Sequence, residues 1–311
     1  MTENEAKSAR GVSRNADRRS HYPACLRERQ AEMNILPVEK QIQIVTALAE
    51  GCSVRATARM IEVEHKTVLR TLLRAGDACA QLLDEKINCV HARRVQVDEI
   101  WTYVFKKQAR LTPEDHPDLG DQYIFVGMDA DSKLVISYLV GKRDAATAYY
   151  MIRDLKDRLA NRVQLTTDGF RPYLNAVEDN FGADVDYAVL IKLYGSPQTG
   201  GPDWYGPPKV VAAMPTRVTG NPDRRYISTS YIERQNLTMR MQIRRFTRLT
   251  NAFSKKLSNL KAHVALHFAH YNFVRIHQTL RVTPAMQAGI TDHIWTVSNL
   301  LTGATSKEQV A

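Results

Sequence analysis

Residues 95–101 read Val-Gln-Val-Asp-Glu-Ile-Trp, a run of β-branched and aromatic residues that two acids interrupt. The run lies within residues 94–105, whose composition predicts a β-strand. Acids are depleted from strand interiors, and burying an unpaired carboxylate is costly. Asp98 is therefore either paired with an internal Lys or Arg or part of a functional site. Glu99 competes with it, because neighbouring strand residues point to opposite faces of a sheet.

The segments after this strand predict a mixed sheet with helices on its faces. Residues 123–130 and 134–140 predict a hairpin, with Asp129 and Asp131 as turn residues. Helices at 145–160 and 171–180 alternate with strands at 163–167 and 187–193. This order is typical of an α/β fold, here with five strands. The Gly- and Pro-rich segment 195–221 is predicted to be a loop, and helices resume near residue 228 and over 252–276.

Two further acids occupy comparable positions. Asp168 ends the strand 163–167, and sites form at the carboxyl ends of strands in open sheets. Glu233 begins a predicted helix. Two-metal phosphodiester chemistry uses carboxylates from separate elements to hold two ions about 3.5–4 Å apart. Asp98, Asp168 and Glu233 are therefore candidate catalytic residues and ligands for Mg²⁺ or Mn²⁺. The alternatives are a plain turn at Asp168 and an ion pair of Glu233 with Arg234 or Arg240.

The positive charge of the chain is concentrated in one region. The 311 residues carry a formal net charge of +10, and residues 217–281 hold thirteen Lys or Arg against two acids. A localised basic region predicts a polyanionic partner, which we expect to be double-stranded DNA. A membrane surface is the rival, but no amphipathic lipid-binding helix stands out. On a helical wheel, Arg240, Arg244 and Arg248 lie within about 60° of Glu233, opposite an apolar stripe. That stripe comprises Ile232, Met239, Ile243 and Phe246.

The amino-terminal third predicts a DNA-binding unit. Residues 1–34 are expected to form a flexible basic tail. Residues 35–78 predict three short helices, with Lys66, Arg70 and Arg74 projecting from the third. A helix, a tight turn and a basic helix make a helix-turn-helix pattern, whose last helix enters the major groove. The alternative is an ordinary three-helix packing unit. Residues 79–92 predict a linker helix.

The remaining features concern the cellular compartment and a possible zinc site. The cysteines form no Cys-x-x-Cys pair, and the amino terminus lacks the apolar core of a signal peptide. A soluble cytoplasmic protein is expected. His263, His267 and His270 share a helical face, as zinc ligands do, but no acid accompanies them, so packing or DNA contact is the preferred interpretation.

Four motifs between residues 96 and 286 resemble a DDE-type insertion-sequence transposase, closest to the insertion-sequence-one family. The first two are Val97-Asp98-Glu99-Ile100-Trp101 and Thr167-Asp168-Gly169-Phe170. The third and most specific is residues 230–236, Ser-Tyr-Ile-Glu-Arg-Gln-Asn, followed by Arg240, Arg244, Arg245 and Arg248. The closing motif comprises Tyr271-Asn272-Phe273, Arg275, His277 and Thr283-Pro284-Ala285.

This resemblance implies a ribonuclease-H-like (retroviral-integrase-like) DDE catalytic domain over residues 93–285 and a carboxy-terminal tail over 286–311. It implies Asp98, Asp168 and Glu233 as the catalytic ligands of two Mg²⁺ or Mn²⁺ ions. Arg240 would touch the terminal DNA of a mobile genetic element. The cysteines do not supply the zinc motif that often precedes the helix-turn-helix in this family. End recognition is then left to the helices around Lys66 to Arg74.

The sequence therefore predicts a DNA transposase that cuts phosphodiesters at insertion-element ends and transfers the 3′-hydroxyl into target DNA. Because two ends must be brought together, a homodimer or larger assembly on DNA is expected, associated with a prokaryotic nucleoid. Two alternatives remain open. One is a ribonuclease-H-like nuclease without joining activity, and the other is a non-catalytic, transposase-derived DNA-binding regulator.

Overall fold

A computed structural model describes residues 36–195, 210–247 and 250–302. By its contacts the chain divides into residues 1–41 and residues 42–311. The predicted flexible tail, residues 1–34, lies outside the described residues. The first described element is helix α1 (Val38–Ala49), which crosses from one unit to the other in sequence.

Helices α2 (Val54–Ile61) and α3 (His65–Lys86) follow α1. Ser53 caps α2, since its hydroxyl accepts a hydrogen bond of 3.1 Å from the Ala56 amide. Glu62 ends α2 in the left-handed conformation, at a position where glycine is commoner. Residues 62–64 therefore form the predicted tight turn, and whether this unit binds DNA stays a prediction.

The sequence predicts a helix ending near Gly76 and a separate linker helix, but α3 runs through both without a break. Glycine usually weakens a helix, which is why the prediction stopped there. Gly76 instead serves a packing contact, because a Cβ at this position would lie 2.4 Å from the Ala262 Cα of the neighbouring helix. The predicted division at residues 78 and 92 therefore does not coincide with a helix end.

A six-stranded mixed sheet forms the centre of the protein. Its strands are β1 (Arg94–Val104), β2 (Gly120–Asp129), β3 (Val135–Gly141), β4 (Gln164–Thr167), β5 (Asp186–Tyr194) and β6 (Val210–Thr219). The spatial order is β3-β2-β1-β4-β5-β6. Strands β1, β4 and β5 are parallel, and the other pairs are antiparallel.

The sheet has one more strand than the five predicted, because β6 lies in the segment 195–221 that was predicted to be a loop. Most β6 side chains are exposed on both faces, so the strand lacks the alternation that reveals a half-buried strand. Pro215 within it also argues against a strand, although proline is tolerated on a sheet edge such as this. Residues 196–209 lie outside the described part of the chain.

Helices cover both faces of the sheet. Helices α4 (Ala145–Arg158) and α5 (Pro172–Phe181) lie on one face, where the ring of Tyr173 meets Phe125 edge-on. Helices α6 (Ser230–Gln242) and α7 (Leu257–Ala269) lie on the other, where Tyr138 meets Phe268 with ring centroids 4.9 Å apart. Short helices α8 (Pro284–Gln287) and α9 (Val297–Thr302) complete the described fold.

Residues 286–302 are not a tail, in contrast to the prediction. Trp295 is buried, its ring centroid lies 4.8 Å from that of Phe273, and its amide donates to the Phe273 carbonyl. Leu300 of α9 is also fully buried. The segment is short and weakly periodic, so sequence patterns did not indicate its packing. Within the described ranges, every helix is too short or too polar to cross a lipid bilayer.

Candidate active site

Two of the three predicted acids meet where strand β4 ends. The β1–β4 ladder finishes at the pair Val97–Thr167, and Asp98 and Asp168 are the next residues on the two segments. Strand β1 continues beyond this point with β2 on one side and without β4 on the other. The early end of β4 therefore leaves a notch beside β1, and both carboxylates reach it.

Glu99 also reaches this notch, although the sequence predicted that only one of Asp98 and Glu99 could belong to the site. Single ligand oxygens of Asp98, Glu99 and Asp168 all lie within 4.8 Å of one another. Asp98 is on the sheet face that α6 covers, and Glu99 is on the face that α4 and α5 cover. Because the neighbouring strand is missing here, side chains from opposite faces converge at the same opening.

Glu233 lines the same cleft, which has a volume of about 750 Å³ and is also lined by Asp98 and Asp168. Glu233 lies in the first turn of α6 and is about half-exposed. Its Oε1 accepts hydrogen bonds from Thr229 Oγ1 and from the Lys192 ammonium. The alternative of an ion pair was therefore partly right, and the partner that the structure shows is a lysine on β5, Lys192. Glu233 is outside the 4.8 Å cluster.

The carboxylates raise one another's pKa. Burial, with the charges of Glu99, Asp168 and Glu233, raises the pKa of Asp98 to about 8. Burial also raises the pKa of Asp168, although a hydrogen bond of 3.0 Å from the Phe170 amide opposes this rise. Burial is the main cause of both shifts, and repulsion between the neighbouring carboxylates adds to it. Such a site gains most from a bound cation.

Glu99 is held by two side chains from the α4–α5 side. Arg143 Nε donates to its Oε1 at 2.6 Å, and the Tyr173 hydroxyl donates to its Oε2 at 3.1 Å. Burial and the nearby Asp168 raise the pKa of Glu99, and Arg143 opposes that rise. The Arg143 guanidinium also lies 4.1 Å from the Phe170 ring centroid. Arg143 therefore ties Glu99 to the loop that carries Asp168.

Sequence reasoning also missed Asn236. Its Nδ2 donates a hydrogen bond of 2.9 Å to Asp98 Oδ2, and its Oδ1 is buried without a hydrogen-bond partner. Asn236 lies three residues after Glu233, so both residues face the site from one side of α6. An asparagine in a helix interior, where it is intrinsically unfavourable, was the signal that could have found it.

The predicted basic residues have different surroundings. Lys66, Arg70 and Arg74 are exposed at intervals of four residues along α3, whereas Arg240 and Arg244 are half-buried. Helix α6 ends at Gln242, so the helical wheel does not extend to Arg244, and Arg248 lies outside the described residues. All four residues of the predicted apolar stripe are buried, although Ile243 and Phe246 lie beyond the end of α6.

Arg245 faces the interior, so its position gives no support to the predicted contact with DNA. Its Nε donates to His263 Nδ1 at 3.0 Å and its Nη1 to Ser254 Oγ at 3.1 Å. Burial lowers the pKa of Arg245 to about 10 and that of His263 to about 3. His267 and His270 are also buried, so the histidine face packs. Among the described residues, the three histidines do not form a metal-ligand cluster.

The donor set of the cleft fits a hard divalent cation. Carboxylate oxygens from Asp98, Glu99 and Asp168 are close enough to share an ion, and Glu233 is near enough to affect the pKa of Asp98 and Asp168. Mg²⁺ and Mn²⁺ prefer oxygen ligands of this kind, while the soft sulfur and imidazole donors that favour zinc are not part of the cluster. The convergence of these carboxylate oxygens within 4.8 Å of one another is the observation that supports a metal.

Solved structures of transposase complexes are similar to parts of this chain. A Mos1 transposase paired-end complex with left transposon end has a TM-score of 0.23 and 16% identity, covering 54% of this chain and 68% of that chain. The Mos1 strand transfer complex has a TM-score of 0.23 and 16% identity, covering 57% and 60%. A piggyBac transposase synaptic complex with hairpin DNA has a TM-score of 0.36 and 8% identity, covering 88% and 74%.

No known family's sequence profile matches the chain, and no curated protein matches it in sequence. The structural similarities are too low to assign a function. The function is therefore inferred from the acidic cleft and its surroundings.

Proposed function

We propose that this protein is a DDE-type DNA transposase, a metal-dependent enzyme that cuts DNA phosphodiesters and joins the freed 3′-hydroxyl to target DNA. The observation that carries the proposal is the convergence of Asp98, Asp168 and Glu233, from three separate elements, on one cleft. These acids are far apart in sequence, and the fold brings all three to the same cleft. This arrangement suits phosphoryl transfer.

The three acids have distinct roles in this proposal. Asp98 and Asp168, close together and largely buried, hold the metal ions, and Glu233 completes the ligand set from α6. These residues would hold two Mg²⁺ or Mn²⁺ ions, which would supply an activated water and stabilise the leaving oxygen. Glu99 is either a further ligand or the residue that, through Arg143, fixes the Asp168 loop.

DNA contacts come from the basic residues that face solvent. Lys66, Arg70 and Arg74 on α3 form an exposed row that suits a DNA groove, as a helix-turn-helix uses. Arg240, on the same helix as Glu233, is the proposed contact with the terminal DNA. Two element ends must be held together, so the proposed active form is a homodimer or larger assembly on DNA, in a prokaryotic cytoplasm. An insertion-sequence-one type of element fits the motifs.

Substitution of the acids tests the proposal. Asp98→Asn, Asp168→Asn and Glu233→Gln proteins should bind DNA as the unchanged protein does, yet neither cut intact element ends nor join pre-cut ends in Mg²⁺. Arg153→Ala, which removes an exposed charge from α4, is a control that should keep both activities. Full activity in any of the acid variants would remove that residue from the proposed site.

The two activities separate the proposal from its alternatives. Cutting without strand transfer of pre-cut ends would indicate a ribonuclease-H-like nuclease. DNA binding without either reaction, in Mg²⁺ and in Mn²⁺, would indicate a non-catalytic regulator. The DNA that flanks the gene supplies the substrate, since inverted repeats there define the ends to synthesise.

A further inference from the structure

The basic residues of the cleft are arranged asymmetrically around the acids. Arg143, Arg171 and Lys192 line it together with the acids. Arg143 is paired with Glu99, and Lys192 is paired with Glu233. Asp98 and Asp168 line the cleft beside Arg143 and Lys192, and Asp98 has an uncharged partner, Asn236. Glu99 and Glu233 are thus members of ion pairs, whereas among the described residues Asp98 and Asp168 are not.

The Lys192–Glu233 pair joins β5 to α6 at the cleft. The β4–β5 ladder ends at the pair Thr167–Val189, and Lys192 lies three residues further along β5, beyond the end of β4. Its side chain therefore reaches across the opening to the first turn of α6. Lys192 also lowers the pKa of Asp168, so its charge acts on both acids. The lysine side chain is one-fifth exposed.

The same carboxylate oxygen cannot be fully engaged by an ammonium and by a divalent cation. Glu233 Oε1 accepts from both Lys192 and Thr229, so a metal ion that coordinates this oxygen must displace the ammonium or share the oxygen with it. A metal ion on Oε2 would repel the ammonium on the same carboxylate. Once displaced, Lys192 keeps its full charge on a flexible four-carbon stem at the rim of a metal site. The anion nearest to such a site, when substrate is bound, is a phosphate of the DNA strand.

We propose that Lys192 exchanges partners during the reaction cycle. It holds Glu233 in the metal-free protein and binds a backbone phosphate of the DNA once metal engages Glu233. This inference rests on the proposed function of the cleft. It assigns to Lys192 both a restraint on metal binding and a contact with substrate that exists only in the metal-loaded state.

Two properties of a Lys192→Met variant follow. Without the ammonium, Glu233 is free for metal, so Mn²⁺ should bind about two- to fivefold more tightly, the range that a partly exposed ion pair supports. Calorimetric titration of the full chain with MnCl₂ measures this. Lys192→Arg keeps a cation opposite Glu233 and should bind Mn²⁺ nearly as the unchanged protein does.

Removing any positive charge from the cleft reduces its electrostatic repulsion of Mn²⁺. A control variant that removes a different positive charge from the same cleft is therefore needed. Arg171→Ala removes an exposed positive charge from the same cleft. It should change Mn²⁺ affinity less than Lys192→Met does. Equal effects of the two variants would mean that Lys192 acts only as a general charge, which would overturn the exchange.

The salt dependence of DNA binding tests the second half of the exchange. Each phosphate contact contributes about one to the slope of log affinity against log salt concentration. With a 30-base-pair duplex of arbitrary sequence, Lys192→Met and the unchanged protein should have the same slope in EDTA. In Mn²⁺, the unchanged protein should have the steeper slope by about one. A difference that is equal in both conditions would contradict the partner exchange.

The outcomes separate this inference from the proposed function. If the unchanged protein binds Mn²⁺, Asp98→Asn abolishes that binding and Lys192→Met leaves it unaltered, then the inference fails and the metal site stands. If the unchanged protein binds no Mn²⁺, the proposed function itself fails. Thermal unfolding of Lys192→Met and Arg171→Ala, which should match the unchanged protein within a few degrees, excludes misfolding as the cause.

Discussion

Asn236 Nδ2 donates a hydrogen bond of 2.9 Å to Asp98 Oδ2, and this bond joins the helix that carries Glu233 to the strand that carries the first acid. The two residues are 138 positions apart in sequence. The bond fixes the Asp98 carboxylate and adds no charge to the site. Asn236 therefore orients a candidate metal ligand without being one.

Replacement of Asn236 by alanine should lower metal affinity or DNA cleavage about 10- to 100-fold, the usual effect of removing a group that orients a ligand. The cause is a freely rotating Asp98 carboxylate. Calorimetric titration with Mn²⁺ and cleavage of an element end measure the two effects. Asn180→Ala is the control, because Asn180 on α5 bonds only to the Ala176 carbonyl of its own helix. An Asn236→Ala protein with unaltered metal affinity and cleavage would refute this role.

The stability of the metal-free protein should decrease as the pH rises from about 6.5 to about 8, above the range in which the buried His263 and His267, with lowered pKa values, act in the opposite direction. The Asp98 pKa is about 8 in the folded protein, against a model-peptide value of 3.8. In this range the folded state binds more protons than the unfolded state, so raising the pH favours unfolding. Asp168 and Glu99, whose pKa values are also raised, act in the same direction.

Thermal melting in EDTA at several pH values measures this dependence. An Asp98→Asn protein should lose less stability with rising pH than the unchanged protein, because it lacks the largest of these shifts. Saturating Mn²⁺ should restore stability at pH 8, where the carboxylates are free to bind it. Identical pH profiles for the two proteins would mean that Asp98 is not protonated near neutral pH in the folded state.

The exposed cations of α3 should contribute to DNA affinity without affecting the cleavage and joining reactions. Each of Lys66→Ala, Arg70→Ala and Arg74→Ala should reduce the salt slope of duplex binding by about one, since each removes one phosphate contact. Fluorescence anisotropy at a series of salt concentrations measures the slope. The alternative of a plain packing unit predicts that these variants behave like Arg153→Ala, an exposed arginine of α4.

Gly76→Ala should destabilise the protein, although alanine is the better helix former by about 1 kcal/mol. A Cβ at position 76 would lie 2.4 Å from both Ala262 Cα and Ala262 Cβ, so α3 and α7 would have to move apart. We expect a loss of about 1–3 kcal/mol, which is typical of overpacking. Urea unfolding measures it, with the exposed Asp77→Ala on the same helix as control. A stabilised Gly76→Ala protein would show that this helix contact is loose.

Local sequence patterns were sufficient to predict the strands in which apolar and polar residues alternate and the elements that have capping or turn residues. The hairpin forms where it was expected because the Asp129 carboxylate accepts from the Ser132 amide at 2.8 Å, and Lys133 adopts the left-handed conformation with φ 63°. The three acids were found because each occurs at an unusual point of such an element, in mid-strand, at a strand end or at the start of a basic helix.

These local patterns did not predict contacts between segments that are distant in sequence. The partner of Glu233 is Lys192, 41 residues away, whereas the sequence offered only its helical neighbours. Glu99 was set aside because neighbouring residues of a strand point to opposite faces of a sheet. This alternation keeps two neighbours out of the same site only where strands flank both sides. The early end of β4 at Thr167 removes the flanking strand and admits Glu99 to the site. Gly76 was taken as a helix end because its packing partner was unknown.

The most direct test of the central claim is a crystal structure of the full chain grown in Mn²⁺, with anomalous diffraction recorded at the manganese absorption edge. We predict an anomalous peak coordinated by carboxylate oxygens of Asp98 and Asp168, with Glu233 as a ligand of that ion or of a second one. A fully occupied Mn²⁺ site elsewhere, with none in contact with Asp98 and Asp168, would contradict it.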